Sequence, residues 1–441
     1  MTTRLRLQRA LIAGSVEDDV VVEITDGRFT RVEVGAEAAE HGAERVAGLT
    51  LPGFANCHSH VFHRALRGRT QTGGGDFWSW RDQMYLLAHR LDPDSLHDLA
   101  RATYAEMLLA GWTGVGEFHY LHHDRDGRRY ADPHAMGEAL LAAADEVGIR
   151  ITLLDTCYLA AGIGKAPEGV QHRFSDGDAD AWAERFATHH DPGDRARIGA
   201  AIHSMRAVPR EQVPTVVEAA RGRPLHVHLS EQVAENEECL AAHGLTPAAL
   251  LHDAGALGPR TTAVHATHLT DTDIALLGSS TTHACFCPTT ERDLGDGVGP
   301  GPRLVAAGSP LTIGSDSQAV IDPFEEMRAV ELDERLVSRR RGRFSPGGLV
   351  DAGTRVGHAS LGFDDAGAIA VGQRADLVVI DLESPRTAGA GAGLGAAVFA
   401  AGSADVVEVW ADGVRHEVGA LREQVGRDLA DVVGRLWEDD R

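Results

Sequence analysis

The sequence predicts an α/β protein, a (β/α)8 TIM-type barrel with a small β-sandwich domain built from both termini. Three observations support this fold class. Short apolar strand candidates alternate with helix-like stretches through the middle of the chain, which is typical of parallel β/α architecture. Strand-like segments with a different, alternating pattern flank this middle region on both sides. Polar residues suited to catalysis follow the apolar strands, at the end where such barrels carry their chemistry.

The terminal segments predict the small domain. Residues 20–34 alternate apolar and polar side chains around an Asp-Gly pair at positions 26 and 27, a pattern typical of a β-hairpin. Residues 367–383 and 404–419 have the same character, so we expect them to pair with the N-terminal strands. The predicted domains are residues 1–50 (first part of the β-sandwich), 51–360 (barrel) and 361–441 (second part of the β-sandwich with a terminal helix).

Eight segments of the middle region predict the barrel strands. They are residues 49–57, 113–120, 150–158, 197–205, 224–230, 261–268, 282–288 and 311–316. Helix-like stretches between them include residues 92–111 and 322–337. The second of these opens with Asp322 and Pro323, residue types that favour the N-cap and the first turn of a helix.

Composition narrows the class of function. The chain has 441 residues and a formal net charge of −23, and it lacks the basic stripe that nucleic-acid binding requires. Its one basic cluster, residues 338–343, is brief. No apolar run is long enough for a membrane span, and the N-terminus lacks the pattern of a signal peptide. The five cysteines form no CxxC pair, which favours reduced thiols and a cytoplasmic location.

Histidine and acidic residues occur at six of the eight predicted strand ends. A lone histidine on an apolar strand is usually a packed core residue, but this recurrence is hard to attribute to packing, because buried polar groups need partners. His58 and His60 point to the same face of their strand. The remaining strand-end residues are Glu117, His119, Tyr120, His203, Arg206, His226, His228, Glu231, His265, His268 and Asp316.

These residue types favour a divalent, zinc-like ion with one open position for an activated water molecule. His58, His60, one histidine of the fifth strand and Asp316 would supply four ligands. His226 and His228 both remain candidates for the third ligand. We favour His228, because Glu231 follows it by three residues and could transfer protons at the strand end.

The motifs around these residues resemble the deaminase branch of the amidohydrolase superfamily. They are His58-x-His60, the HxxE pair in HVHLSEQ, His265 in VHATHL and Asp316 in GSDS. The resemblance implies a metal-dependent enzyme with ligands His58, His60, His228 and Asp316 and catalytic residues Glu231, His265 and Asp316. Binuclear members bridge two ions with a lysine of strand 4, and the only lysine here, Lys165, lies before that strand. We therefore expect one ion, Zn²⁺.

Further stretches are similar to the formimidoylglutamate deiminase family, namely FWSWRDQMY, GEFHYLHH, QHRF, HSMRAV and CPTTERDLGDG. That resemblance implies hydrolysis of N-formimino-L-glutamate to N-formyl-L-glutamate and ammonia, a step of histidine degradation. The implied partner is a small dicarboxylate, and we expect a homodimer. The implied substrate contacts are His63, Arg81, Tyr120, His203 and Arg206. His63 departs from the family, which usually has glutamine there, although both residues can donate a hydrogen bond.

The two arginines also make chemical sense without the resemblance, because guanidinium groups bind carboxylates through two parallel hydrogen bonds. Most arginines in an acidic chain form surface ion pairs, but Arg81 and Arg206 lie at predicted strand mouths. Two alternatives remain open. One is another deaminase on this scaffold, acting on guanine-, cytosine- or adenosine-type rings, and the other is a non-catalytic barrel scaffold. Metal content and ammonia release on a substrate panel would separate them.

Overall fold

The structure is a computed structural model that describes residues 2–35, 42–71, 77–190 and 192–438. These residues contain fifteen strands and fifteen α-helices. The strands are β1 (Thr2–Ile12), β2 (Ser15–Thr25), β3 (Arg28–Val34), β4 (Glu44–Pro52), β5 (Phe54–Ser59), β6 (Trp112–His119), β7 (Arg150–Cys157), β8 (Ala196–Ile202), β9 (Leu225–Leu229), β10 (Thr261–His265), β11 (His283–Phe286), β12 (Leu311–Ile313), β13 (Leu377–Ile380), β14 (Val406–Ala411) and β15 (Val414–Glu417). The helices are α1 (Phe77–Arg90), α2 (Pro93–Ala110), α3 (Ala135–Val147), α4 (Ala179–Phe186), α5 (Val213–Ala219), α6 (Val233–His243), α7 (Pro247–Asp253), α8 (Asp271–Ser279), α9 (Pro288–Leu294), α10 (Gly301–Ala307), α11 (Pro323–Ser338), α12 (Pro346–Gly353), α13 (Arg355–Ser360), α14 (Leu394–Phe399) and α15 (Val418–Leu436).

The eight strands β5 to β12 form a parallel sheet in chain order, with helices between successive strands. A bridge between Ser59 and Asp316 joins the two edges of this sheet, so that the barrel is nearly closed. All residues of these strands except Arg197 are buried, as expected for strands covered on both faces. The predicted α/β barrel is confirmed.

The first predicted barrel strand, residues 49–57, is divided between two sheets. β4 ends at Pro52 in the terminal sheet, and β5 begins at Phe54 in the barrel. Gly53 lies at the crossing point, where a Cβ atom would come within 2.3 Å of the Thr113 hydroxyl. Only glycine fits so close an approach. Because one apolar run serves both sheets, the sequence pattern did not show the division.

Strands from both ends of the chain form the second sheet, in the order β15-β14-β13-β4-β1-β2-β3. The predicted hairpin of residues 20–34 is confirmed, and its turn residues Asp26 and Gly27 both have positive φ, as this turn requires. One face of the sheet encloses its own apolar core, which includes Leu5, Val22 and Trp410. This sheet is the small terminal domain that the sequence predicts.

Capping residues delimit the two helices that the sequence predicts. Asp92 and Ser95 form a capping box at the start of α2, and Gly111 ends that helix in the left-handed conformation, which glycine adopts without a steric penalty. Asp322 caps α11 by accepting hydrogen bonds from the backbone of its first turn. The C-terminal helix α15 packs against α2. Among the described residues, no helix has both the length and the apolar character to cross a membrane.

A buried ion pair joins the barrel to the terminal sheet. The Arg150 guanidinium at the start of β7 is fully buried and binds both carboxylate oxygens of Asp376. Its Nη1 also lies 2.9 Å from Oδ1 of Asp412, which follows β14. The backbone N–H of Asp412 donates to Asp376 over 2.8 Å. The pair therefore connects the first residue of a barrel strand to two segments of the other domain.

Replacing Asp376 with asparagine should lower the free energy of unfolding by about 3 kcal/mol, because it removes the main partner of a buried guanidinium. Burial alone would raise the pKa of Asp376, but Arg150 outweighs it and lowers the pKa. The stabilisation by the ion pair is therefore fully present above the pKa that Asp376 has in the unfolded chain. It is lost as the pH falls through the lower pKa that Asp376 has in the folded protein. The difference in free energy of unfolding between wild type and Asp376→Asn, measured with urea, should be constant from about pH 5 to 8 and shrink below about pH 4.

The matched control for this variant is Glu218→Gln, which removes an exposed ion pair with Arg221. Exposed pairs contribute little to stability, so the control should unfold close to wild type. If Asp376→Asn also unfolds like wild type, the ion pair does not hold the two domains together.

Candidate active site

Four side chains converge at the carboxyl ends of the barrel strands, and we call them the ligand cluster: His58, His60, His228 and Asp316. The Nε2 atom of His228 lies 3.1 Å from Nε2 of His58 and 3.3 Å from Nε2 of His60. The Asp316 Oδ1 atom lies 3.3 Å from Nε2 of His58 and 3.4 Å from Nε2 of His60. All four side chains are buried. The structure thus brings together the four residues that the sequence predicts as metal ligands.

The backbone determines which ring nitrogen of two cluster histidines carries the proton. Nδ1 of His60 donates to the carbonyl of Phe118 over 2.9 Å, and Nδ1 of His228 donates to the carbonyl of His203 over 2.9 Å. Burial lowers the pKa of both histidines well below the ordinary value, so each ring is neutral with a lone pair on Nε2. Orienting a ligand histidine through its second nitrogen is the usual support for a metal site.

Each of the four atoms consequently lies within 3.1–3.4 Å of two others of the cluster, among them the lone pairs of His60 and His228 and a carboxylate oxygen. Such an arrangement is repulsive unless a cation lies between the atoms. Three imidazole nitrogens and one carboxylate oxygen are a donor set that suits a divalent ion of the zinc type. The residues present therefore fit a metal ion.

The structure distinguishes the two histidines that the sequence left open on the fifth strand. His226 precedes His228 by two residues on β9 and lies deeper in the barrel, with its side chain fully buried. The groups of His, Cys, Asp and Glu side chains close enough to share an ion include His228 and not His226, among the described residues. Two residues of strand rise separate the two rings, and only the later one reaches the barrel mouth.

A chain of hydrogen bonds holds the first and last barrel strands together beside the cluster. Asn56 and Ser315 bond side chain to side chain over 2.6 Å, and Ser315 donates to Gln318 over 2.7 Å. Gln318 donates to the Ser59 hydroxyl, which donates to Glu117 over 2.7 Å. Ser59 lies between His58 and His60 at the end of β5, and Ser315 precedes Asp316. Glu117, a strand-end residue to which the sequence assigned no role, thus belongs to the support of the cluster.

Left-handed backbone occurs at three site residues that are not glycine. Ser230 has φ +52°, His265 +68° and Asp316 +45°. Each such residue costs on the order of 1–3 kcal/mol, and strain of this kind concentrates at functional sites. The backbone turns sharply where β9, β10 and β12 end, which directs these side chains into the barrel mouth.

Glu231 and His265 face the cluster from neighbouring strands. The Nε2 atom of His265 lies 3.8 Å from Oε1 of Glu231 and 3.7 Å from Oδ2 of Asp316. Its Nδ1 atom lies 3.3 Å from Oε1 of Glu291. Burial alone would lower the pKa of His265, but these three carboxylates outweigh it and raise the pKa well above the ordinary value. Burial raises the pKa of Glu231, which suits a carboxyl group that exchanges protons.

Three further acidic residues near Glu231 were not predicted as site residues. Glu291 accepts a hydrogen bond from the backbone of Cys287 over 2.9 Å, while it contacts His265. Burial raises the pKa of Glu235 to about 7 and that of Asp296 to about 9. Glu291 and Asp296 lie in CPTTERDLGDG, a stretch that resembles a known family but carries no recognisable pattern of its own.

An inner cavity opens at the barrel mouth in front of the cluster. The five predicted substrate contacts all line it, together with the predicted catalytic residues. Those five are His63, Arg81, Tyr120, His203 and Arg206. The structure therefore places them within one cavity, and their individual roles remain predictions.

His63 is buried in the cavity wall, with Nε2 3.2 Å from the Tyr120 hydroxyl. Burial lowers the pKa of His63 to about 3. The ring is consequently neutral near pH 7 and can donate only one hydrogen bond at a time. In that respect it differs from the glutamine amide usual in the family that the sequence resembles, which carries two donor hydrogens.

Aromatic side chains form much of the remaining cavity wall, and sequence reasoning did not predict them. They are Trp80, Tyr85, Tyr158 and Phe174. Gln171 donates to the hydroxyl groups of both Tyr85 and Tyr158 over 2.9 Å. Trp80 and Tyr85 lie in α1 after β5, whereas Tyr158 and Phe174 follow β7, so no local pattern in the sequence indicates that they meet.

Comparison with known proteins agrees with this geometry. Residues 49–415 match the amidohydrolase family. The chain belongs to the amidohydrolase family. A crystal structure of an amidohydrolase from Brucella melitensis has a TM-score of 0.91 and 32% identity, with 98% of this chain and 99% of that chain covered. The chain described here is therefore a hydrolase that acts on C–N bonds, and the alternative of a non-catalytic scaffold is not supported.

Two curated relatives are informative about specificity. A formimidoylglutamate deiminase from Pseudomonas aeruginosa is 38% identical, over 98% of this chain and 99% of that protein. An 8-oxoguanine deaminase from Pseudomonas aeruginosa is 29% identical, over 93% of this chain and 92% of that protein. Deaminases of different substrate classes are thus similar to this amidohydrolase along most of its length.

Proposed function

We propose that this amidohydrolase hydrolyses N-formimino-L-glutamate to N-formyl-L-glutamate and ammonia, with one zinc ion in the ligand cluster. The observation that carries the proposal is the inner cavity, which joins the cluster and Glu231 to two arginine side chains. The relative with 38% identity is a formimidoylglutamate deiminase, which supports the same reaction.

The cavity suits a substrate with a reactive amidine at one end and carboxylates at the other. Arg81 and Arg206 line the cavity wall and can each bind a carboxylate through two hydrogen bonds,. Tyr120 and His203 add hydrogen-bonding groups to the wall of the same cavity. Binding energy from the remote carboxylates can then position the formimidoyl carbon.

Glu231 is the residue that we assign to proton transfer. When bound, the zinc ion would make water acidic enough to attack near neutral pH. Glu231 takes a proton from the attacking water and delivers it to the departing nitrogen, so that ammonia leaves as the C–N bond breaks. His265 faces the same space through Nε2 and donates a hydrogen bond to the tetrahedral centre. Asp316 would serve both as a ligand and as the acceptor of the second proton of the water, which must also reach the departing nitrogen for it to leave as ammonia.

A second candidate function is the deamination of a heterocyclic base. The aromatic residues of the inner cavity, Trp80, Tyr85, Tyr158 and Phe174, could contact a flat ring. The 29% identical relative is an 8-oxoguanine deaminase. Arg81 and Arg206 argue against this candidate, because a neutral heterocycle has no negatively charged group for their guanidinium groups to bind.

Ammonia release from a substrate panel tests the proposal. N-formimino-L-glutamate should be hydrolysed with the highest kcat/KM, and guanine, 8-oxoguanine, cytosine and adenosine hardly at all. N-formimino-glycine, which lacks the side-chain carboxylate, should be a poor substrate. The proposal is wrong if any heterocyclic base is hydrolysed faster than N-formimino-L-glutamate at equal, subsaturating concentration.

Replacing Arg206 with methionine should lower kcat/KM for N-formimino-L-glutamate by about tenfold or more. The change keeps the bulk of the side chain but removes charge-assisted hydrogen bonds of about 1.5–3 kcal/mol. Bound metal should stay at the wild-type level, because Arg206 is not part of the ligand cluster. Arg81→Met should act in the same way, and unchanged kinetics in both variants would mean that other residues bind the carboxylates.

A further inference from the structure

A second depression, which we call the outer groove, adjoins the inner cavity and opens to solvent. It shares Arg81, Tyr85 and Arg206 with the inner cavity. Because three residues line both spaces, a ligand that enters from the groove passes the two arginines before it reaches the ligand cluster. The groove is therefore placed as an entrance to the site.

The charge of the groove is opposite to that of the whole chain. Its described lining contains four permanently charged cations, Arg81, Arg125, Lys165 and Arg206, against the two carboxylates of Glu168 and Glu238. The chain as a whole has a formal net charge of −23. A dianion approaching such a protein is repelled over most of the surface, so a local excess of positive charge at the entrance raises its capture rate.

Lys165 is one of two cations that line the groove but not the inner cavity. It is the only lysine of the chain, and it is exposed on the segment after β7. A tight turn holds it, with Lys165 N–H donating to Gly162 over 2.9 Å and Ala161 N–H donating to Lys165 over 3.0 Å. A Cβ atom at Gly162 would lie 3.5 Å from Cδ of Lys165, so the lysine stem runs over that glycine.

Arg125 is the other groove cation outside the site, and its charge is offset. Its guanidinium donates to the backbone carbonyl of Arg90 over 2.6 Å and to Asp92 over 3.3 Å. Lys165, by contrast, makes no ion pair within 4 Å in the described part of the chain. Among the described residues, the ammonium charge of Lys165 is thus not offset by a direct ion pair as that of Arg125 is.

We propose that the outer groove is an anion-collecting entrance for dicarboxylate ligands and that the charge of Lys165 controls capture there. The inference rests on the proposed function for the identity of the substrate. It further implies that acylation of Lys165, which removes the charge, slows capture of the dianion.

Charge variants at Lys165 test the proposal. Lys165→Gln should lower kcat/KM for N-formimino-L-glutamate by about threefold and Lys165→Glu by about tenfold at low salt, with the loss mainly in KM. Both deficits should vanish near about 1 M salt, where charges are screened within about 3 Å. Lys165→Arg, which keeps the positive charge, should have the kcat/KM of wild type. A merely structural role of Lys165 would not depend on salt.

Arg340→Gln is the matched control, since it changes the net charge by the same amount as Lys165→Gln. Arg340 is exposed in the loop after α11 and does not line the groove. The Arg340→Gln variant should have the same kcat/KM as wild type and the same dependence of kcat/KM on salt. If the control and the Lys165 variants change equally, the effect reflects overall charge, and the groove proposal is wrong.

Inhibition by glutarate separates this proposal from the proposed substrate. Glutarate is a dianion, and its inhibition constant can be measured against whichever substrate the wild-type enzyme hydrolyses. The constant should rise in Lys165→Glu and stay unchanged in Arg340→Gln. An unchanged constant in Lys165→Glu overturns the groove proposal, whereas failure of wild type to hydrolyse N-formimino-L-glutamate overturns only the proposed function.

Discussion

Asp316→Ala should lose both its bound metal and its activity. Asp316 contributes the only carboxylate of the ligand cluster, with Oδ1 within 3.4 Å of two histidine nitrogens. Without that oxygen, three neutral imidazoles must hold a divalent ion with no compensating negative charge. A bound Lewis acid supplies several kcal/mol of transition-state stabilisation, so turnover should fall by about 10³-fold or more.

Elemental analysis and ammonia release, measured on the same preparations, check this prediction. Wild type should hold one zinc ion per chain after loosely bound metal is removed. Asp293→Ala is the matched control, because Asp293 is an exposed acidic residue of α9 outside the cluster. It should keep both metal and activity. Two ions per chain in wild type would contradict the single-ion proposal, and a full complement of metal in Asp316→Ala would contradict the ligand assignment.

Glu231→Gln should fold, keep its metal and lose about 10²–10⁴-fold in kcat, the usual contribution of a general acid–base group. The amide has almost the same shape as the carboxylate but cannot carry a proton between the water and the leaving nitrogen. Glu231 is not a member of the ligand cluster, so elemental analysis should match wild type. Affinity for the dicarboxylate should change little, because Arg81 and Arg206 are untouched.

Glu235→Gln provides a comparison within the same acidic group. Glu235 is buried, and its Oε2 accepts a hydrogen bond from the backbone of Glu231 over 3.3 Å. The variant alters a neighbouring carboxyl group but leaves the proposed proton carrier in place, so its loss of kcat should be much smaller. If Glu231→Gln retains near-normal kcat across the pH range, another residue transfers the proton.

Much of the ligand cluster could be predicted from the sequence because its pattern is local. His58 and His60 are two residues apart on one strand, so the strand period alone puts them on the same face. Asp316 follows the last barrel strand, and a parallel barrel brings all strand ends to one mouth. His226 and His228 share a face for the same reason, which is why periodicity could not choose between them.

The support of the cluster could not be predicted, because it depends on contacts between distant segments. Glu117 bonds Ser59 from the neighbouring strand, and Glu291 contacts His265 from the start of α9. An isolated glutamate in a sequence carries no sign of which side chain it will meet. Such pairings follow from the relative positions of whole elements, not from the residues on either side.

The sequence by itself determined the alternation of strands and helices, the terminal hairpin and the residue types at the strand ends, since these follow from local periodicity and turn chemistry. Only the tertiary structure decided that one apolar run divides at Gly53 between two sheets, that His228 and not His226 reaches the cluster, and that Lys165 faces the entrance of the site. Each of those outcomes depends on the distance between segments far apart in the chain, and that distance is set by the packing of the barrel as a whole.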